Sequence, residues 1–194
     1  IQKMAKILIE TSARHVHLSE EHIKVLFGEG ATLTHKKDLS QPGQFACEER
    51  VTVVGPKGSI AKVIVLGPAR PASQVEVSMT DSYVLKVKPP VRESGKIEGS
   101  APITMIGPKG VVTLTEGCII ANRHIHMHTS DAVKYGVKDG DYIDVDALQG
   151  TRKTRWYGVQ VRVRDDFALE MHVDTDDANA AGIGNGTLVS IVKE

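Results

Sequence analysis

The stretch Arg14-His15-Val16-His17 occurs again as Arg123-His124-Ile125-His126, and this repeat decides how the sequence is interpreted. Each histidine of the first copy lies 109 residues before its counterpart in the second, from 15 to 124 and from 17 to 126. In a β-strand, residues two apart point to the same face, so each His-x-His pair directs two imidazoles at one point. Imidazole nitrogens that share a face are a common part of metal sites. The sequence therefore predicts a duplicated metal site.

A second pair of related segments supplies a third ligand for each His pair. The segment Glu76-Val-Ser-Met-Thr-Asp81 resembles His172-Val-Asp-Thr-Asp-Asp177, at a shorter interval of 96 residues (76 to 172). Glu76 and His172 occupy the same place in the two segments, and both are metal-ligand types. The predicted ligand sets are His15, His17 and Glu76 for the first site, and His124, His126 and His172 for the second. Three protein ligands with an open position are typical of catalytic zinc.

Composition limits the classes of function. The 194 residues include 24 acidic and 24 basic side chains, a balance that gives no electrostatic footprint for nucleic acid or a membrane surface. Hydrophobic residues are 41% and charged residues 25%, as in soluble globular proteins. Cys47 and Cys118 form no disulfide framework, which fits a reducing compartment, and we expect them to be small buried hydrophobic residues. No membrane span and no signal peptide are visible.

Short apolar segments between frequent turns predict a mostly β fold. A turn of the form Gly-Pro-Lys-Gly joins predicted strands twice, at 55–58 and at 107–110. Many short strands with frequent turns predict an all-β sandwich or barrel. The expected strands are 4–10, 50–54, 59–66, 75–78, 83–88, 103–106, 111–115, 142–146, 159–164, 169–173 and 188–192.

A few short helices and one linker complete the prediction. Ser19 is expected to cap a helix that ends at Gly28, and Thr129 to cap one that ends near Gly136. A third short helix is expected at 177–181. The polar run 91–100 is the best candidate for a linker, because it follows Pro89-Pro90 and contains glycine. His128 is expected to cap a helix or to lie on the surface.

Three arginines have separate expected roles. Arg70 lies in Gly67-Pro68-Ala69-Arg70-Pro71, just before Glu76. A guanidinium held by such a loop suits an oxyanion such as phosphate, because its fork gives two parallel hydrogen bonds. The alternative is a surface arginine in a turn. Arg14 and Arg123 are expected to pair with carboxylates of the fold rather than with substrate.

Together these residues resemble the PduL family of phosphate acyltransferases, known as phosphate propanoyltransferases or phosphotransacylases. The resemblance covers nearly the whole chain and rests on the motifs at 14–17, 67–70, 74–77 and 122–126 and on the segment that begins at His172. It implies two tandem small β-barrels from an internal duplication, which we place at residues 1–90 and 91–194, with strand exchange between the barrels allowed. It also implies two Zn²⁺ ions per chain, coenzyme A (CoA) and a homodimer.

The resemblance also implies the chemistry. The reaction interconverts acyl-CoA (propanoyl-CoA in the family's name) and phosphate with acyl phosphate and CoA at a dinuclear zinc site. By this resemblance the zinc at His15, His17 and Glu76 meets the CoA sulfur, and the other takes His124, His126 and His172. Arg70 matches the family's phosphate-binding arginine and is the catalytic candidate. Phosphate is itself a nucleophile, so we expect direct transfer without an acyl-enzyme.

Location follows from the same resemblance. It implies propanediol degradation in the bacterial cytoplasm, with a place inside a bacterial microcompartment and association with its shell or cargo as an option. Some family members enter the compartment through an N-terminal peptide. None is visible here, and the sequence opens with Ile1 rather than Met, so a leading segment can be missing.

Three other classes stay open from the residues alone. A binuclear metal hydrolase would use the same ligands with a metal-bound hydroxide. A cupin shares part of the spacing through Glu21 and Gly28, but residues 19–27 carry helix signals where a cupin needs strand. A metal-binding or shell-interaction module without catalysis predicts metal binding and no turnover.

Overall fold

The computed structural model describes residues 6–192, which form mainly short β-strands. None of the helices in this range is long and apolar enough to cross a membrane. The four helices are α1 Glu20–Phe27, α2 Met79–Leu85, α3 Thr129–Tyr135 and α4 Thr175–Ala181. The strands are β1 Lys6–Ser12, β2 His15–His17, β3 His35–Asp38, β4 Phe45–Val54, β5 Ser59–Gly67, β6 Gln74–Glu76, β7 Val91–Arg92, β8 Ala101–Ile106, β9 Val111–Ala121, β10 His124–Met127, β11 Tyr142–Ala147, β12 Thr154–Val163, β13 Glu170–Asp174 and β14 Leu188–Ile191.

The strands belong to two compact units. We call Ala13–Ala121 the central unit, and the residues up to Ser12 together with those from Asn122 onward the terminal unit. Strand β1 leads directly into β2 along the chain, yet it belongs to the terminal unit. Strand β9 likewise leads into β10 but belongs to the central unit. The predicted division of the sequence at residues 90 and 91 stays a prediction.

The central unit is a closed six-stranded barrel. Its strands follow the order β4, β5, β2, β6, β9 and β8, and β8 pairs with β4 to close the ring. The short strands β3 and β7 extend the sheet at β4 and β9. One apolar core fills the barrel, with Val16, Val65 and Met105 fully buried.

The terminal unit is a second closed barrel with the same pattern. Its order is β1, β13, β10, β12, β11 and β14, and β14 pairs with β1 to close the ring. In both barrels the His-x-His strand runs parallel to one neighbour, β5 or β12, and antiparallel to the other, β6 or β13. Each barrel therefore has its own core. The prediction of a mainly β protein with short helices and two small barrels is confirmed.

Strand geometry determines which face each side chain of the His-x-His strands points to. Successive side chains point to opposite faces of a strand, so the residue between the two histidines faces the barrel interior. Val16 and Ile125 are fully buried in their respective cores. A fully buried valine or isoleucine contributes roughly 1.5–3 kcal/mol, and this anchors the strand in the register that places both imidazoles on the other face.

Two sequence predictions about helices were wrong in detail. Residues 83–88 do not form a strand, because Ser78 and Asp81 form a capping box that starts α2 at Met79. Thr129 is the first residue of α3 rather than its cap. The cap is His128, whose side chain accepts a hydrogen bond from the backbone N–H of Ser130. The helix from Ser19 to Gly28 is confirmed.

The two Gly-Pro-Lys-Gly turns each lie on the end of a helix. The backbone N–H of Lys57 donates to the carbonyl of Leu85 at 3.5 Å, and that of Lys109 to the carbonyl of Leu26 at 3.0 Å. These carbonyls lack a partner within their own helices, so the turns cap α2 and α1. A Cβ on Gly55 would lie 2.2 Å from the oxygen of Leu85, and this close approach requires glycine.

Candidate functional site

The central unit brings together the first predicted ligand set. Strand β2 pairs antiparallel with β6, and this register places His15 opposite Glu76. Nε2 of His15 lies 2.9 Å from Oε2 of Glu76, and one donor atom from each of His15, His17 and Glu76 lies within 4.8 Å of the others. All three residues are less than a tenth exposed. The sequence-predicted convergence of these three side chains is therefore present.

The electrostatics of this cluster suit a divalent cation. Burial alone would lower the pKa of His15, but the Glu76 carboxylate raises it above its usual value. Burial likewise raises the pKa of Glu76, yet His15 and His17 bring it well below its usual range. Burial and the charge of His15 lower the pKa of His17 strongly. The cluster thus contains an ionised carboxylate and a neutral imidazole, both good ligands for zinc.

The terminal unit brings together the second set by the same strand arrangement. Strand β10 pairs antiparallel with β13, which places His124 opposite His172. The Nε2 atoms of His124 and His126 are 2.9 Å apart, and the ring centres of His126 and His172 are 4.5 Å apart. His124 and His126 are buried, and His172 is partly buried. Three imidazoles therefore converge on one point.

Both clusters hold one imidazole by the backbone. Nδ1 of His15 donates to the carbonyl of Ala13 at 2.8 Å, and Nδ1 of His124 donates to the carbonyl of Asn122 at 2.8 Å. A proton fixed on Nδ1 leaves the lone pair on Nε2, which faces the cluster in each unit. The acceptor is in both units the carbonyl two residues before the histidine.

The donor sets fit a metal ion. Two ligands at 2.0–2.1 Å from a tetrahedral zinc are about 3.3 Å apart, close to the 2.9 Å found in each cluster. Burial and the charge of His124 lower the pKa of His126 to about 2, so its ring is neutral. Within residues 6–192, Nδ1 of His126 is buried without a hydrogen-bond partner. A neutral imidazole can offer a nitrogen lone pair to a cation. The assignment of the six ligands itself stays a prediction.

Arg70 lies in the loop that follows β5, and a chain of hydrogen bonds connects it to the central cluster. Its backbone N–H donates to the carbonyl of Leu18, and its guanidinium donates to Oγ of Ser94 at 3.1 Å. The Ser94 hydroxyl also accepts from Nε2 of Gln74 at 3.0 Å, and this same Nε2 donates to Oε1 of Glu76 at 2.8 Å. The positive charge of Arg70 contributes to the low pKa of His17. The loop thus places the positively charged guanidinium of Arg70 close enough to influence the pKa of a histidine in the cluster.

A cavity of about 550 Å³ lies beside the N-terminal end of α1. Arg70, Ser73 and His22 line it together with three glutamates. Nδ1 of His22 and Oγ of Ser73 are 2.6 Å apart, so these two residues fix one wall. The loop that contains Arg70 therefore borders this cavity. Its other lining residues include Glu20, Glu21 and Glu116.

Arg14 and Arg123 pair with carboxylates, as expected. The guanidinium of Arg14 lies 3.1 Å from Oδ1 of Asp81, and that of Arg123 lies 3.1 Å from Oδ1 of Asp177. Each arginine precedes its His-x-His strand and holds the first turn of the helix that follows the third donor. These ion pairs join the strand to the helix in each unit.

Sequence reasoning missed three polar residues of these clusters. Gln74 and Glu170 each lie two residues before the third donor, on the same face of the strand, and both are buried. Period-two spacing was the available signal for them. Ser94 lies in the stretch predicted as a linker, and no local pattern marks it. Only the folded chain shows that it contacts Gln74 and Arg70.

The fold and the clusters define a class of protein: a double β-barrel with a candidate three-donor metal centre in each barrel. Residues 8–184 match the family model described as phosphate propanoyltransferase. A phosphate propanoyltransferase of Thermotoga maritima is 54% identical over 193 residues, which cover 100% of this chain and 92% of the relative. One from Lachnoclostridium phytofermentans is 56% identical over 95% of this chain and 86% of its own, and one from Clostridioides difficile is 48% identical over 100% and 92%.

The chain therefore belongs to the phosphate propanoyltransferase family and is an acyltransferase. The family resemblance drawn from the motifs around the histidines is confirmed.

Proposed function

We propose that this chain transfers a propanoyl group between CoA and inorganic phosphate with the help of two Zn²⁺ ions. Family membership supports the class of reaction. The convergence of three buried or partly buried donors in each unit is the observation that supports the metal sites. His15, His17 and Glu76 would hold one ion, and His124, His126 and His172 the other. Bound zinc supplies a Lewis acid for the thioester or phosphate oxygens and a partner for the CoA sulfur.

Arg70 binds and orients phosphate in this proposal. Its guanidinium fork offers two parallel donors to phosphate oxygens, while its hydrogen bond to Ser94 limits the directions it can take. Holding phosphate and thioester in line converts an encounter in solution into a reaction within one complex. A phosphate oxygen then attacks the thioester carbon, the C–S bond breaks, and the electron pair leaves with the sulfur. The products are acyl phosphate and CoA.

Transfer is direct, without an acyl-enzyme. Burial raises the pKa of the Cys47 thiol to about 11 and that of the Cys118 thiol to about 12, and both side chains are fully buried. Thiols of this kind are poor nucleophiles at neutral pH, because the thiolate is the reactive form. Phosphate itself supplies the attacking oxygen.

The test is CoA release from acetyl-, propanoyl- and butanoyl-CoA, with and without phosphate, on full-length protein of known zinc content. We expect release to require phosphate, to yield one acyl phosphate per CoA, and to be fastest with propanoyl-CoA. Release that ignores phosphate would instead support a metal hydrolase. Trapping a covalent acyl-protein adduct would contradict direct transfer.

We also propose that the chain forms a homodimer. Helix α2 exposes Met79, Tyr83 and Val84 at 46%, 66% and 50%, and large apolar side chains gathered on one short element support an interface. Light scattering after size exclusion should give twice the chain mass for the wild type. Tyr83→Lys should shift that mass toward the monomer. A monomeric wild type at micromolar concentration would contradict the proposal.

The cellular role we propose is propanediol degradation in the bacterial cytoplasm, with association with a microcompartment shell or its cargo. The acyl group in the name of the relatives supports this role. A fluorescent fusion expressed in a cell that forms microcompartments should give discrete foci that disappear when shell genes are deleted. Diffuse fluorescence in both cells would limit the proposal to the cytoplasm.

A further inference from the structure

We propose that Gln74 and Glu170 are positioning residues, each matched in chemistry to the third donor of its cluster. The inference rests on the proposed function, because it treats Glu76 and His172 as metal ligands. Gln74 stands two residues before Glu76, and Glu170 stands two residues before His172. In both units the positioning residue lies opposite the second histidine of the His-x-His strand, His17 or His126.

In the central unit an amide donates to a carboxylate. Gln74 is 1% exposed, and its Nε2–H donates to Oε1 of Glu76 at 2.8 Å. The other carboxylate oxygen, Oε2, is the atom that lies 2.9 Å from Nε2 of His15. The amide therefore occupies one oxygen of Glu76 and holds the carboxylate plane so that the second oxygen faces the imidazoles.

In the terminal unit a carboxylate accepts from an imidazole. Glu170 is 7% exposed, and its Oε1 lies 2.5 Å from Nε2 of His172. Because the carboxylate accepts the proton on Nε2, the lone pair of the ring is left on Nδ1. Glu170 therefore sets both the ring plane and the nitrogen that is available to a cation. A carboxylate behind a ligating histidine is a frequent arrangement in zinc sites.

The two pairs are complementary, which a role in packing alone does not explain. A carboxylate ligand needs a donor behind it, and Gln74 supplies one. An imidazole ligand needs an acceptor, and Glu170 supplies one. The chemical type of the residue two positions upstream thus changes together with the type of the ligand. In each pair a donor therefore meets an acceptor.

Gln74 has a second task that connects Glu76 with Arg70. Its Nε2 also donates to Oγ of Ser94 at 3.0 Å, and its Oε1 accepts from the backbone N–H of Gly95 at 2.7 Å. Ser94 accepts from the Arg70 guanidinium and hydrogen-bonds Glu76 as well. Both N–H groups and the oxygen of the Gln74 amide therefore make hydrogen bonds. Loss of this amide should therefore disturb both the metal ligand and the proposed phosphate-binding arginine.

The first experiment measures Zn²⁺ affinity of the full chain by competition with a chromophoric chelator. We expect Gln74→Met and Glu170→Met each to weaken one of the two binding steps by about 10- to 100-fold, and to leave the other step unchanged. Ser100→Ala is the matched control, because Ser100 is also buried and its hydrogen bonds go to backbone groups of Ile97 and Gly117. Its two affinities should equal those of the wild type.

The second experiment separates chemistry from packing. Glu170→Gln and Glu170→Met have side chains of similar size, but only glutamine keeps an oxygen that accepts from Nε2 of His172. We expect Glu170→Gln to recover most of the affinity that Glu170→Met loses, and equal losses would overturn the inference. Gln74→Asn keeps the amide but is one methylene shorter, so it should weaken binding like Gln74→Met. It replaces Gln74→Met if that variant does not fold.

Kinetics give a third, independent measurement. Gln74→Met should raise the KM for phosphate more than the KM for acyl-CoA, because Arg70 loses its support. Unchanged Zn²⁺ affinity in both methionine variants would overturn the inference even if the wild type is a phosphate acyltransferase. A different outcome is that the methionine variants bind Zn²⁺ more weakly while the wild type shows no phosphate-dependent CoA release. That outcome would remove the proposed function and leave the positioning roles in place. A wild-type chain without Zn²⁺ binding would overturn both.

Discussion

The two units share a barrel, a strand order and a His-x-His register, but they differ in the third donor. In the central cluster a carboxylate, Glu76, is itself one of the three donors, whereas in the terminal cluster all three donors are imidazoles and the carboxylate of Glu170 lies behind one of them, His172. A divalent cation would therefore contact a carboxylate oxygen directly in the central cluster and be linked to a carboxylate only through an imidazole in the terminal one. The difference shows that one scaffold, used twice, can offer two different sets of donor atoms.

The largest loss of activity is expected when one histidine is removed from the cluster of either unit. We expect His15→Ala and His124→Ala each to lower kcat/KM by about a thousandfold, because several kcal/mol of transition-state stabilisation depend on the metal. Phosphate-dependent CoA release measures the loss, and thermal unfolding checks that the barrel persists. Unchanged turnover in His124→Ala would remove the terminal cluster from the mechanism and leave the central cluster alone.

The arginines after β5 and β12 sharpen the comparison. The backbone N–H of Arg70 donates to Leu18 at 2.9 Å, and that of Arg164 donates to Met127 at 3.1 Å, so the two occupy matching places. The side chain of Arg164 is 61% exposed and pairs with Asp166 on the surface. Arg70→Ala should lower kcat/KM for phosphate by about 10- to 100-fold, and Arg164→Ala by less than about fivefold. Equal losses would show that both units bind anions.

In each unit one glycine packs against the end of a helix, and replacing these glycines tests whether the two barrels are built alike. A Cβ on Gly55 would lie 2.2 Å from the oxygen of Leu85, and a Cβ on Gly150 in the terminal unit 2.3 Å from that of Ala181. Alanine at either position should therefore destabilise the protein by about 1–3 kcal/mol. Calorimetry should show Tm lowered by about 2–12 °C.

Gly184→Ala is the control for both glycine variants. A Cβ at Gly184 meets nothing within 4 Å, so Tm should stay within about 2 °C of the wild type. A loss of stability at Gly184 as large as at Gly150 would show that the close contact is not the cause.

Cysteine labelling reports on the central unit only, because both cysteines lie in it. Burial raises the pKa of Cys47 to about 11, so at pH 8 about one thiol in a thousand is ionised. Labelling of the native protein should be slow at pH 8 and rise with pH, because the thiolate forms only as pH approaches the raised pKa. Denaturant should expose both thiols at once. Fast labelling of the native chain would contradict the burial and would reopen an acyl-cysteine mechanism.

The donors of the two clusters could be found from the sequence because their signals are local and repeated. Period-two spacing places His15 and His17 on one face whatever the rest of the fold is. The repeat then identifies Glu76 and His172, since a duplicated segment keeps its functional positions. Neither step needs to know which strands pair.

Other features depended on competing or distant interactions. Tyr83 and Val84 favour a strand by propensity, but the capping box of Ser78 and Asp81 lies just upstream and decides for a helix. The capping box was visible in the sequence, but the prediction gave more weight to the strand propensity of Tyr83 and Val84. The role of Ser94 was different, because it depends on contacts with Gln74 and Arg70, some 20 residues away or more. No local pattern records such a contact.

Closure of the terminal barrel by β1 and β14 has a consequence for synthesis on the ribosome. The first strand of the described chain finds its partners only in β13 and β14, near the other end. At about 5–20 residues per second, β1 waits roughly 10–40 seconds after it emerges, while the central barrel already has every strand it needs. Nascent chains therefore carry an unpaired strand edge until β13 and β14 have been made, and we expect chaperones that shield such edges to bind them.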